Sequence, residues 1–182
     1  MQARHLPNLI TSLRLLLVLP LVWLLINNRY PAALYLFAIM GASDGVDGFL
    51  AKRFHWSSRL GQYMDPVADK AMLVSTYLSL GWLSVLPAWL VAIVILRDVI
   101  IIAGAVAYHF VTHQLEMRPT WLSKLNTVMQ IILALVAIMA QFLTIPDAIV
   151  ALMIVIVLLT TVASGLDYTL EWTRRTRAAL RQ

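Results

Sequence analysis

The chain has no cysteine, which removes disulfide frameworks, thiolate metal sites and cysteine nucleophiles together. Charge is scarce as well: Asp, Glu, Lys and Arg make up 13% of the 182 residues, about half the share of a soluble domain. Against that scarcity, 61% of the residues are hydrophobic and the mean hydropathy is +0.82. This composition excludes a soluble globular fold, and intrinsic disorder still more firmly. What charge there is leans basic, with 14 Lys+Arg against 9 Asp+Glu and a net charge of +5. In so apolar a chain the excess points to loops facing anionic lipid, not to a nucleic-acid surface.

A membrane span needs roughly 20 mostly apolar residues. Six stretches qualify, at about 9–27, 32–53, 60–83, 87–111, 121–143 and 145–168. Short polar or proline-containing punctuation separates them: Asn27 to Pro31, Arg53 to Arg59, Leu86-Pro87, Thr112 to Thr120, and Thr144 to Pro146. The expected fold is therefore all-α, a polytopic membrane bundle of six transmembrane helices. Residues 1–182 read as a single domain, with a basic tail from about residue 171. Arg14 interrupts the first apolar run and no small-residue cleavage site follows, so that run reads as a span and not as a signal peptide. With six spans the termini share a side with Arg4, Lys52, Arg53, Arg59, Arg118, Arg174, Arg175, Arg177 and Arg181, while Arg29 stands alone opposite. That asymmetry predicts cytoplasmic termini in an integral protein, with a bacterial inner membrane as the expected location.

Four of the nine acidic residues fall in a 26-residue window: Asp44, Asp47, Asp65 and Asp69. Carboxylates inside spans are costly, and they are functional candidates by default. Asp44 and Asp47 are spaced i,i+3 and Asp65 and Asp69 i,i+4, so each pair shares a helix face. Antiparallel pairing of the second and third spans levels Asp44 with Asp69 and Asp47 with Asp65, roughly 10 Å inside the cytoplasmic boundary. So many carboxylates in a low dielectric need protons, cationic side chains or divalent ions. Lys70, Arg97 and Lys124 are available as counter-charges, but buried ion pairs are a poor way to gain stability. Oxygen-only ligands favour Mg²⁺ or Mn²⁺. Acid clusters in spans also serve proton or ion transport. A transporter is thus the alternative class, and it predicts flux without any nucleotide-lipid chemistry. Gly48, directly after Asp47, and Gly61, four residues before Asp65, leave room for a ligand; Pro66 supplies no N–H to its helix.

Taken together, Asp44-x-x-Asp47-Gly48-x-x-Ala51-Lys52, eight residues, then Gly61-x-x-x-Asp65-x-x-x-Asp69 resembles the signature of the CDP-alcohol phosphatidyltransferase family. The opening Pro7-Asn8-x-x-Thr11-x-x-Arg14 and the six-span layout resemble it too. One position departs from the family pattern: Lys52 stands where Arg is usual, keeping the charge but losing a bidentate fork on phosphate, with Arg53 a candidate substitute. The resemblance implies that an acceptor hydroxyl attacks the phosphatidyl phosphorus of CDP-diacylglycerol and that CMP leaves. It implies Asp44, Asp47 and Asp65 as ligands of a pair of Mg²⁺ or Mn²⁺ ions. Asp69 would contribute to the metal site or act as general base. Asp44, Gly48, Ala51, Lys52 and Gly61 would lie along the cytidine diphosphate. Family members also commonly pair as homodimers.

Three cations, Arg97, Arg118 and Lys124, suit an anionic, glycerol-containing acceptor. The strings Arg97-Asp98-Val99 and Arg118 to Thr127 resemble the cardiolipin synthases of this family, which implies phosphatidylglycerol as the acceptor. Phosphatidylglycerophosphate synthases, which use glycerol 3-phosphate, tend to have Glu in place of Asp98 and Lys in place of Asn126, so that acceptor is the alternative. The remaining polar features carry less. His109 and His113 are spaced i,i+4 without a third ligand nearby, and Asp147 and Asp167 sit near span ends where hydration removes any need for a role.

Overall fold

A computed structural model describes residues 6–54, 59–112 and 120–179, and the side chains of residues 12–43, 67–104 and 120–170. Six helices account for the described residues, with no strand among them. They are α1 (Leu6–Ile26), α2 (Tyr30–Phe54), α3 (Arg59–Trp82), α4 (Ala88–Thr112), α5 (Trp121–Met139) and α6 (Asp147–Ala179). The all-α expectation holds, and each helix falls on one of the six apolar stretches. The main departure is α6, which runs on through the basic tail without a break. Its 33 residues extend about 50 Å at 1.5 Å per residue, well beyond a hydrocarbon core of about 30 Å.

Among the described residues two segments, Trp121–Met139 and Asp147–Leu170, are long and apolar enough to cross a membrane. Among the residues whose side chains are described, α1 and α2 also carry the apolar helical segments Ser12–Ile26 and Tyr30–Ser43.

The helices group into two units, the first comprising residues 1–86 and 134–145 and the second residues 87–133 and 146–182. In the first unit α1 packs against both α3 and α2. The buried face of α1 runs through Arg14, Val18, Leu21 and Leu25, spacings of four, three and four that keep one helix face inward. α2 contributes Ala33, Phe37 and Met40 to this core, and α3 contributes Ala68, Met72, Leu73, Tyr77 and Leu80. Buried Thr76 donates its hydroxyl to the Met72 carbonyl at 2.8 Å, so this polar side chain is satisfied within its own helix. In the second unit α4 packs on α6.

The first and third helices end in the same way. Asn28 takes φ 56°; its N–H donates to the Leu25 carbonyl and the Arg29 N–H donates to the Leu24 carbonyl. Ser84 takes φ 57°, with its N–H on the Gly81 carbonyl and the Val85 N–H on the Leu80 carbonyl. Both are left-handed caps that satisfy the last carbonyls of a helix. Asn tolerates this region and Ser less so. Ser84→Gly is therefore expected to stabilise the chain by about 0.5–1 kcal/mol, since the relief of the left-handed backbone exceeds the added unfolded-state freedom. Ser84→Val should destabilise it by at least about 1 kcal/mol. Denaturant midpoints in detergent micelles check both signs.

Candidate active site

The aspartate signature lies on α2 and α3, the two helices that pack on α1. On α2 the buried positions 33, 37 and 40 set a register that, carried forward, reaches positions 44, 47 and 51. On α3 the buried positions 68, 72 and 76, carried backward, reach positions 65 and 61. The motif positions therefore fall on the helical period set by the buried residues of each helix. The side chains of Asp44, Asp47, Gly48, Ala51, Lys52, Gly61 and Asp65 themselves lie outside the described residues. Convergence of the four carboxylates rests on these positions.

Asp69 is the one member of the quartet whose side chain is described. It is half-buried, and its Oδ1 accepts a hydrogen bond from Arg14 Nη1 at 2.9 Å. Arg14 is 2% exposed. The partners are 55 residues apart in sequence, brought together because α1 lies against α3. An ionised guanidinium–carboxylate contact at this distance is a charge-assisted hydrogen bond. The sequence offers Lys70, Arg97 and Lys124 as counter-charges for the acids; the structure adds Arg14. Its signal was present, a lone arginine breaking an apolar run, but a span-end cation that snorkels gives the same signal.

The acceptor candidates fall in the second unit. Arg97 is 6% exposed and lies deep in a polar seam of α4, α5 and α6. Its Nη1 donates to Asp98 Oδ1 at 2.8 Å. Nη2 donates to Ser123 Oγ at 2.8 Å and also to Ser164 Oγ. Gly165 brings the α6 backbone beside the arginine stem, where a Cβ would meet Arg97 Cγ at 3.8 Å. One turn further along α5, fully buried Asn126 accepts at Oδ1 from Thr160 Oγ1 and Thr161 Oγ1, each at 2.9 Å. Arg97 Nε and Asn126 Nδ2 are buried donors without a hydrogen-bond partner among the described residues. Lys124 is exposed in the first turn of α5, which Thr120 caps by accepting the Ser123 N–H at 3.2 Å. Arg118 lies outside the described residues.

The family model for CDP-alcohol phosphatidyltransferases matches residues 4–163, taking in the signature, the Arg14 run and the polar seam as far as Thr161. The chain belongs to that family. Among its relatives is the chloroplastic CDP-diacylglycerol–glycerol-3-phosphate 3-phosphatidyltransferase 1 of Oryza sativa subsp. japonica, 32% identical over 74% of this chain and 46% of the relative. The human cardiolipin synthase (CMP-forming) is 31% identical over 79% of this chain and 53% of its own length. The CDP-diacylglycerol–glycerol-3-phosphate 3-phosphatidyltransferase of Escherichia coli is 32% identical over 70% of this chain and 73% of its own length. The chain spans about half the length of the first two of these relatives. The family resemblance of the aspartate signature is thus met by the match, and the relatives divide between the two acceptors that the sequence offers.

Proposed function

We propose that this phosphatidyltransferase is a six-span membrane enzyme of phospholipid synthesis that moves the phosphatidyl group of CDP-diacylglycerol onto an anionic, glycerol-containing acceptor. The observation that carries the reading is the Arg14–Asp69 contact, which ties the last aspartate of the signature to α1; positions 44, 47, 51, 61 and 65 share the helical period of the buried residues on α2 and α3. Exposed apolar side chains support the membrane setting. Leu13, Leu16, Leu19 and Trp23 on α1, and Ile149, Leu152, Leu159, Val162 and Leu166 on α6, point away from the core. Trp82 (84% exposed) ends α3 and Trp121 (81% exposed) opens α5, as interfacial aromatics do. The basic tail and the cation-rich loops give the cytoplasmic orientation, with the bacterial inner membrane as the setting.

Phosphoryl transfer depends mostly on positioning and charge neutralisation. The acceptor hydroxyl oxygen forms a bond to the phosphatidyl phosphorus, the bond to the CMP oxygen breaks, and CMP takes the electron pair. In this reading Asp69 receives the hydroxyl proton. Asp44, Asp47 and Asp65, an all-oxygen donor set with Asp69 beside it, suit two Mg²⁺ or Mn²⁺ ions. Such ions, when bound, neutralise the diphosphate and the departing CMP. Gly48, Ala51, Gly61 and Lys52 line the cytidine diphosphate in this reading. Lys52→Arg, which restores a bidentate fork, should lower the KM for CDP-diacylglycerol by about threefold, measured from initial rates of CMP release.

Phosphatidylglycerol is the preferred acceptor, which makes the product cardiolipin. Neutral Asn126 supports it, since it stands where the glycerol 3-phosphate enzymes tend to carry Lys. Lys124, exposed at the start of α5, and Arg118 are the cations offered to the acceptor phosphate in this reading. Arg97 supports the site indirectly, because both of its terminal nitrogens are engaged by Asp98, Ser123 and Ser164. The deciding experiment offers the purified chain CDP-diacylglycerol with phosphatidylglycerol or glycerol 3-phosphate separately, with Mg²⁺, Mn²⁺ or chelator. Cardiolipin from the first alone is expected, with CMP release abolished by chelator. Phosphatidylglycerophosphate from the second alone would reverse the acceptor, and no CMP release from either would end the reading.

A further inference from the structure

We infer that Arg14 is a positioning residue for the transfer: buried where α1 packs on α3, it fixes the Asp69 carboxylate and holds a positive charge beside it. The inference rests on the role proposed above for Asp69. Three observations lead to it. Arg14 continues the inward stripe of Val18, Leu21 and Leu25 and does not face outward with Leu13 and Leu16. Its Nη1 meets Asp69 Oδ1 at 2.9 Å. The pair joins a helix outside the aspartate signature to the last residue of that signature, across 55 positions.

Stability is a weak reason for such a pair, because apolar side chains of similar volume often serve a buried contact as well or better. Two physical effects give it a use. A carboxylate held by a guanidinium keeps one rotamer, and misplacement by about 1 Å costs on the order of a hundredfold in rate. One cationic charge also offsets part of the mutual repulsion of four carboxylates, and the same charge opposes cation binding beside it. Arg14 thus tightens the geometry of Asp69 while weakening the hold of the acids on divalent ions. A purely architectural arginine would do neither.

The test uses the full chain in lipid nanodiscs, with Mn²⁺ alone as the probe for affinity by electron paramagnetic resonance, and CMP release for turnover. Arg14→Gln is expected to bind Mn²⁺ at least about threefold tighter. Its kcat should fall about a hundredfold, with the KM for CDP-diacylglycerol within about threefold of the parent. Arg14→Lys keeps the charge without the fork, so Mn²⁺ affinity should return to the parent value and kcat should lie between the two. Weaker Mn²⁺ binding together with a lower unfolding midpoint in Arg14→Gln would mark a structural role and overturn the inference. If Arg14→Gln does not fold, Arg14→Lys decides: a loss of about tenfold in kcat at unchanged Mn²⁺ affinity supports the inference, and unchanged kcat overturns it. Parent turnover that Arg14→Gln leaves intact overturns this inference alone. A parent chain that binds Mn²⁺ yet releases no CMP overturns the transferase reading, and this inference with it.

Discussion

Asp47→Ala should lose at least about a thousandfold in CMP release, equivalent to about 4 kcal/mol of transition-state stabilisation, while the chain still folds. The expectation combines two opposite effects at one position. In catalysis, Asp47 is a proposed metal ligand in the centre of the signature, and a carboxylate removed from a two-ion site weakens the neutralisation of the diphosphate. In stability, the same carboxylate is one of the four like charges proposed to converge from α2 and α3, so its removal should relieve repulsion. The unfolding midpoint of the metal-free protein should therefore hold or rise, by up to about 1 kcal/mol, as activity disappears. Chromatographic measurement of CMP and an unfolding curve on the same preparation read both. Full CMP release in Asp47→Ala would remove the metal assignment.

The second large effect belongs to stability. Arg97→Met is expected to cost about 3–5 kcal/mol, because it deprives buried Asp98 of its 2.8 Å partner and removes the donor that ties Ser123 of α5 to Ser164 of α6. That is a large share of a total stability of about 5–15 kcal/mol. Asp98→Asn in the Arg97→Met background should recover part of the loss, since a neutral amide has less need of the guanidinium than a buried carboxylate. Unfolding midpoints of the single and double variants measure the coupling. A stable Arg97→Met chain with a raised acceptor KM would instead place Arg97 in direct contact with the acceptor.

These two expectations drew on different sources. Asp47 is legible in the sequence because a carboxylate within an apolar run is rare, and because i,i+3 and i,i+4 spacings fix a helix face without knowledge of neighbours. Arg97 was legible as a deep cation, but its partners were only partly so. Asp98 is adjacent in sequence, whereas Ser164 is 67 residues away, and no local pattern singles out one serine of an apolar helix. Asn126 is a similar case. The sequence marks it as a neutral residue in a run that resembles the cardiolipin synthases, and packing adds that two α6 threonines donate to it.

The sequence by itself determined the number of helices, their borders to within a few residues for the first five, and the register of the aspartates. Those properties depend on the length of apolar runs and the 3.6-residue period, both local quantities. It missed the extent of α6, because loss of hydrophobicity marks where lipid contact ends and not where backbone hydrogen bonding ends. Only the tertiary structure decided which cation answers Asp69 and what Arg97 holds. A charge in a span can turn outward to snorkel or inward to pair, and that choice depends on which helix lies against it.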